Sequence, residues 1–245
     1  RRPAPAAVRR HPSGRRHIAW QNAETMPLTP TTEDYLLAIY GLRAEVEPVI
    51  NARLAERLQV APATVSATLE RMVRDEHIWI GKNHEVFMTL GGERVAEQLA
   101  RRHRLIEHWL IKTLGLGWAE VHQEADRLEH TVSAELTDRI SASLGHPPTC
   151  PHGLPIPGNY PETDVGQLFP LAKARPETDV LVVRLSEPAE DDLDLLRYFE
   201  DKGLVPGRVI SIVEKTPAGH LVVIADGETM VVDDRVGASL WVMDA

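Results

Sequence analysis

The apolar residues of this chain change their period once, and that change limits the folds open to it. Up to about residue 144 they recur at helical spacing, as in Tyr35, Leu36, Ile39, Tyr40 and Leu42, or Val65, Leu69, Met72 and Val73. Beyond residue 177 they alternate in short runs: LVVRL, RVISIVE, HLVVIA, TMVVDD and SLWVM. Pro206-Gly207, Pro217-Ala218-Gly219 and Asp226-Gly227 punctuate those runs. The first region predicts a helical body. The second predicts a small antiparallel β-barrel with one helical insertion at DDLDLLRYFEDKG. The fold class is mainly α with small β, and 245 residues leave room for two or three domains.

Within the helical region the order of elements is specific. Thr31 and Thr32 read as N-cap residues ahead of the first helix. A short helix carries Ile50, Leu54, Ala55 and Leu58, and Val60-Ala61-Pro62 breaks it before the next stripe. HIWIGKNHEVFMTL then reads as two strands, Ile78 to Ile80 and Val86 to Met88, joined by Gly-Lys-Asn-His. Helix, turn, helix, hairpin is the order of a winged helix-turn-helix. Residues 93–114 and 118–144 read as two long helices, antiparallel because only Gly115-Leu116-Gly117 joins them. CPHGLPIPGNYPETD, rich in proline, reads as a linker. The expected division is a disordered basic arm over 1–27, a winged helix-turn-helix over 28–92 and a helical dimerisation and metal-binding domain over 93–150. A Pro-rich linker over 151–176 and a barrel domain over 177–245 complete it.

Charge and cysteine narrow the function classes. Against 27 basic residues stand 36 acidic ones, a net of −9, while six arginines and one acid fall in residues 1–25. A chain this acidic does not bind polyanions in bulk, so any contact with nucleic acid is local. No apolar run approaches the roughly 18 residues of a membrane span. The lone Cys150 excludes a disulfide framework and a Cys-rich zinc module, which predicts a reducing, cytoplasmic setting.

In helix-turn-helix docking the second helix enters the major groove. Here that helix opens with APATVSATLERMVR. Thr64, Ser66, Ala67 and Thr68 are small enough for close approach, with hydroxyls for phosphates or base edges and methyls for thymine. Arg71 and Arg74 are placed for phosphates, Lys82 for the neighbouring backbone at the hairpin tip, and Asn51 opens the preceding helix. The plainer reading makes Thr64 and Ser66 helix-start residues and the arginines a solvated face; the hairpin at the expected distance favours DNA. The module's near-neutral charge predicts weak binding by one copy and hence a dimer spanning one helical turn of DNA.

Four of the eleven histidines, His103, His108, His122 and His130, fall within 28 residues. His122, Asp126, Glu129 and His130 share one face of a helix, and His103 and Glu107 share a face of the helix before it. Antiparallel packing would join those faces into one or two cation sites. Imidazole and carboxylate without sulfur suit Mn(II), Fe(II), Co(II) or Zn(II) rather than Ca(II) or Cu(I). His108, Glu120, Glu124 and Glu135 read as surface residues. Asp126-x-x-Glu129-His130 is one substitution from a zinc-protease signature, but no nucleophile elbow, phosphate loop or substrate domain accompanies it, so a metallohydrolase is the remote alternative.

TTEDYLLAIY, ARLAERLQVAPATVSATLERM, RRHRLIEHWL, GLGWAEVHQEADRLEH and PIPG together resemble the diphtheria toxin repressor family, metal-dependent transcriptional regulators with iron-sensing and manganese-sensing branches. The likeness runs nearly continuously over residues 31–160. The C-terminal stretch with LLRYFEDKGLVPGRV resembles the FeoA-type, SH3-like domain of the three-domain members. The resemblance implies a primary metal site at Asp34, Asp126, Glu129 and His130. It implies an ancillary one at His103, Glu107 and His122, completed from the barrel among Asp191, Asp192 and Asp194. Iron sensors of the family have Met where this chain has Asp34 and Cys where it has Asp126. Carboxylates at both positions harden the site toward Mn(II). Leu37 departs from the manganese pattern, which often has an acid there. The expected function is a Mn(II)-dependent repressor of metal-homeostasis genes, binding palindromic double-stranded operators as a metal-activated homodimer, with no membrane and no small-molecule substrate. Fe(II) is the alternative ion, and Zn(II), Co(II) or Cd(II) are substitutes in vitro.

Overall fold

The computed structural model describes residues 28–45, 48–160 and 168–245, so the arm expected over 1–27 lies outside the described residues. Helix α1 spans Pro30–Ala44. Its cap is Thr29, not Thr31 or Thr32: proline at the first helical position needs no N–H partner, and Thr29 Oγ1 accepts from the Thr32 amide at 3.3 Å. Helix α2 (Asn51–Arg57), helix α3 (Pro62–Arg74) and the hairpin β1 (Ile78–Ile80)–β2 (Val86–Met88) follow, with Trp79 opposite Phe87. Asn83 turns the tip at φ 63°, a left-handed conformation asparagine tolerates. Leu36, Ile39, Leu54, Val65, Met72, Ile78 and Val86 close one core beneath these elements.

Helix α4 (Leu90–Trp109) is capped by Thr89 and runs on through a π turn to Leu114. It starts against the hairpin so closely that a Cβ on Gly92 would lie 2.0 Å from the His77 carbonyl oxygen. The single helix expected over 118–144 is two. Helix α5 (Val121–Glu129) ends where the Thr131 hydroxyl bonds back to the Leu128 carbonyl, and Ser133 caps helix α6 (Ala134–Ser143). The break leaves His130 at the end of α5, facing α1.

The stretch expected to be a linker is a packed strap over its described part. Leu154 and Ile156 are buried. Arg101 and Arg104 of α4 donate to the carbonyls of Pro157 (2.9 Å) and Pro155 (2.6 Å). Proline lacks a donor but keeps its acceptor, so a Pro-rich segment can dock on arginines without forming helix or strand.

The C-terminal unit holds six strands in the antiparallel order β3-β8-β4-β5-β6-β7. They are β3 (Phe169–Pro170), β4 (Thr178–Leu185), β5 (Val209–Lys215), β6 (Leu221–Ala225), β7 (Glu228–Val232) and β8 (Leu240–Asp244). Helix α7 (Leu193–Asp201) is the expected insertion, and α8 (Asp234–Ser239) is an additional one. Among the described residues no ladder joins β3 to β7, so the sheet is open and the expected closed barrel is not formed. Edge strand β3 is two residues long and one of them is proline, which cannot donate to a ladder. Among the described residues no helix is long and apolar enough to cross a membrane.

Candidate metal centre

Five parts of the chain line one cavity of about 240 Å³: α1, the end of α2, α4, α5 and the 187–191 turn. Helix α4 supplies His103 and Glu107, one turn apart and both buried. Helix α5 supplies His122, Asp126 and Glu129, and His130 at its end. His103 Nδ1 lies 2.6 Å from Glu129 and 3.4 Å from Asp126, and its Nε2 lies 3.0 Å from His122 and 3.2 Å from Glu107. His122 Nδ1 is 3.0 Å from Glu107. Helix α1 supplies Asp34, whose Oδ1 is 3.2 Å from His130 Nε2, while Glu33 bonds the other ring nitrogen at 2.6 Å.

The seven residues expected from α1, α4 and α5 are therefore brought together, though not as two separate sets. Asp34, Glu129 and His130 place ligand atoms within 4.8 Å of one another, and so do His103, Asp126 and Glu129. Glu129 links the two trios, and His103, Glu107 and His122 form a third. Of the three C-terminal carboxylates expected to join, only Asp191 arrives, 3.4 Å from His122 Nε2 and 3.1 Å from Arg57 of α2. Asp192 is spent on capping α7, accepting from the Leu195 amide at 3.0 Å, and it also pairs with Arg235. Asp194 lies in the first turn of α7, on a separate surface with Tyr198 and Asp233.

A fourth group lay outside the sequence reading. Glu107, Cys150, His152 and Glu190, all buried, place ligand atoms within 4.8 Å of one another. His152 Nδ1 is 3.3 Å from Glu107 and 3.2 Å from Glu190 yet is aligned for a hydrogen bond with neither, and Glu107 Oε2 has no partner among the described residues. Buried polar atoms left unpaired around one point are what a cation would satisfy. The signal was present as Cys-x-His in the Pro-rich stretch, but an irregular segment has no period from which to infer where its side chains point. Glu33, beside Asp34, was missed as well.

Proton placement follows from this crowding. Burial works against charge on His103, but Glu107 and Glu129 outweigh it and hold the imidazole protonated well above its usual range. His122, likewise buried, is pushed up to about 10 by Asp191 and Glu107. Glu107 is buried too, yet His152 and His103 keep its carboxyl well below the usual carboxylate range. Asp34 and Asp126, each about half exposed, are raised first by partial desolvation among the packed side chains and then by Glu129, and burial pushes the Cys150 thiol up to about 12.

On α3, Thr64, Ser66, Ala67, Arg71 and Arg74 are exposed, as is Lys82 at the hairpin tip. Thr68 is not: only 5% exposed, it faces the core with Val65 and Leu69, so it leaves the candidate reading face. Asn51 donates to Ser66 Oγ at 2.9 Å and to the Pro62 carbonyl at 3.2 Å, fixing α2 against the start of α3.

Comparison with known proteins agrees with this architecture. Residues 27–84 match the family model for the iron dependent repressor N-terminal DNA binding domain. Residues 89–158 match its metal binding and dimerisation domain, and 169–244 match the FeoA domain. The iron-dependent repressor IdeR of Mycobacterium leprae is 37% identical over 82% of this chain and 90% of its own. The diphtheria toxin repressor of Corynebacterium diphtheriae is 33% identical over 84% and 94%. A solved manganese-dependent transcriptional repressor in complex with manganese superposes with a TM-score of 0.76 at 32% identity, over 87% of this chain and all of that one. This chain belongs to the diphtheria toxin repressor family of metal-dependent DNA-binding transcriptional regulators, which are not enzymes.

Proposed function

We propose that the chain is a Mn(II)-activated repressor that binds palindromic operators as a cytoplasmic homodimer and controls genes of metal homeostasis. One observation carries this reading: Asp34 of α1, in the DNA-binding module, stands within ligand reach of Glu129 and His130 at the end of α5. A divalent cation there would supply the positive charge that lets carboxylates of two domains share one point. Asp34, Glu129 and His130 would hold it, with Asp126 alongside through its neighbours His103 and Glu129. For a second ion, His103, Glu107 and His122 overlap with the Glu107, Cys150, His152 and Glu190 set. Glu107 belongs to both.

The chain's own residues do the rest. Without the cation, the Asp34 and Glu129 carboxylates repel across the joint, and the start of α1 is held less firmly against α5. With the joint closed, α1 carries α3 at a fixed angle to α4 and α5. Helices α4, α5 and α6 together line an apolar cleft floored by buried Ile106 and Ile140, with Leu128 36% and Leu136 47% exposed at its rim, a face suited to a second copy. Two copies so joined would hold both α3 helices at operator spacing. Metal and DNA then favour one conformer, so each tightens the binding of the other.

The group nearest α1 has no sulfur, which favours Mn(II) among the borderline ions. Iron is the second reading, favoured by the iron-dependent names of relatives such as IdeR. Band shifts with Mn(II), with anaerobic Fe(II) and with EDTA test both. Operator binding that ignores EDTA would reject the switch, and a response to Fe(II) at lower free concentration than Mn(II) would favour iron.

A further inference from the structure

Helix α1 is gripped at both ends, and only one grip uses candidate ligands. At its start Glu33 and Asp34 face His130. At its end Glu45, the C-cap residue, accepts from the Arg184 guanidinium at 2.9 Å and from the backbone N–H of Glu187 at 3.0 Å. Both side chains of this ion pair are about nine-tenths buried, 10% exposed for Arg184 and 11% for Glu45. The guanidinium is itself fixed, donating to the Leu185 carbonyl at 2.8 Å and lying 4.5 Å from the Trp241 ring centroid. Glu187 closes the arrangement from the other side. Its carboxylate pairs with Arg104 of α4, and its side chain packs on Gly41, where an added Cβ would come within 3.0 Å of Oε2.

Glu45 and Arg184 are 139 residues apart in sequence, so nothing local explains their pairing. Asp34 and Glu45 are separated by about 16 Å along the helix at 1.5 Å per residue. A rod held at one end pivots, and a rod held at both ends does not. We infer that Glu45 is a positioning residue: by latching the end of α1 to Arg184 and the Glu187 amide, it holds the DNA-binding module on the C-terminal domain and so presents Asp34 to Glu129 and His130. This rests on the reading that a cation at that joint gates DNA binding. The latch enlarges the fraction of molecules already competent to take the ion, and that fraction divides directly into the apparent metal affinity.

Two measurements on the 245-residue chain separate the latch from the gating. In chelator, Glu45→Ala should speed hydrogen exchange at the end of α1 and in the 186–190 turn, and not in the β1–β2 hairpin. Unchanged exchange at both places overturns the latch whatever the metal does. On a duplex selected by the wild-type protein from a random pool, Glu45→Ala should need about fivefold more Mn(II) for half-maximal binding, with affinity at saturating Mn(II) within about twofold of wild type. Glu45→Gln, which still accepts from the amide, should fall between the two. An unchanged Mn(II) midpoint in both variants overturns the positioning role. A wild type that binds its selected duplex without regard to Mn(II) defeats the gating instead, and the exchange result then stands as evidence for the latch alone.

Discussion

Carboxylates and imidazoles packed as closely as Glu107, His103 and His122 must settle which of them holds the protons. His122, raised from 6.5 to about 10, keeps its proton in the absence of a cation. A group with a raised folded-state pKa contributes stability that is complete below its ordinary pKa and lost as pH rises through the folded one. In EDTA the protein should therefore lose thermal stability between about pH 6.5 and about pH 10, and saturating Mn(II) should flatten that slope. A melting temperature in EDTA that rises across this window contradicts the proton placement. Asp126 tests the site without threatening the fold, since its side chain is 53% exposed. Asp126→Ala should abolish the response to Mn(II) in a band shift while moving stability by no more than about 0.5 kcal/mol. Asp126, Glu129 and His130 were legible in sequence because ligand types at helical spacing share a face; Asp34, on another helix, was implied only by the family resemblance. Cys150 and His152 were not, because a strap without period gives no face to read.

At the scale of elements, the sequence resolved what its periodicity and turn residues specify. The hairpin ends came out at Ile78–Ile80 and Val86–Met88, as alternation around Gly-Lys-Asn-His predicts. The break between α5 and α6 did not show, because apolar spacing continues across Thr131-Val132-Ser133, while the bonds of Thr131 back to the Leu128 carbonyl and the Ser133 side-chain cap end one helix and start the next. Thr68 shows the same limit: its small polar side chain suits a reading face, but its angular position beside Val65 and Leu69 sends it inward. Arg71, by contrast, points out. Arg71→Ala should weaken operator binding across sequences and lower its salt slope by about one, with Mn(II) affinity unchanged in calorimetry. Where α4 meets the hairpin there is no room for a side chain. Gly92→Ala should cost about 1–3 kcal/mol in denaturant unfolding, and a neutral result would mean the two elements separate easily.

For the whole molecule, the decisive contacts are between domains, and these were the least legible. Composition marked 151–160 as proline-rich, yet docking on Arg101 and Arg104 makes it a structural strap. Alternation marked the C-terminal strands, yet it says nothing of whether a sheet closes. The apolar face over α4, α5 and α6 is where the proposed second copy would seat. Leu136→Asp should sediment as a monomer in the presence of Mn(II) and lose operator affinity by about a hundredfold or more, because two linked modules bind far more tightly than one.

The joint between α1 and α5 carries the account, and anomalous diffraction from Mn(II)-soaked crystals addresses it most directly. An anomalous peak ligated by Asp34 together with Glu129 and His130 is expected. A map with no peak there, or with ions held only by α4, α5 and the strap while Asp34 turns away, would contradict it.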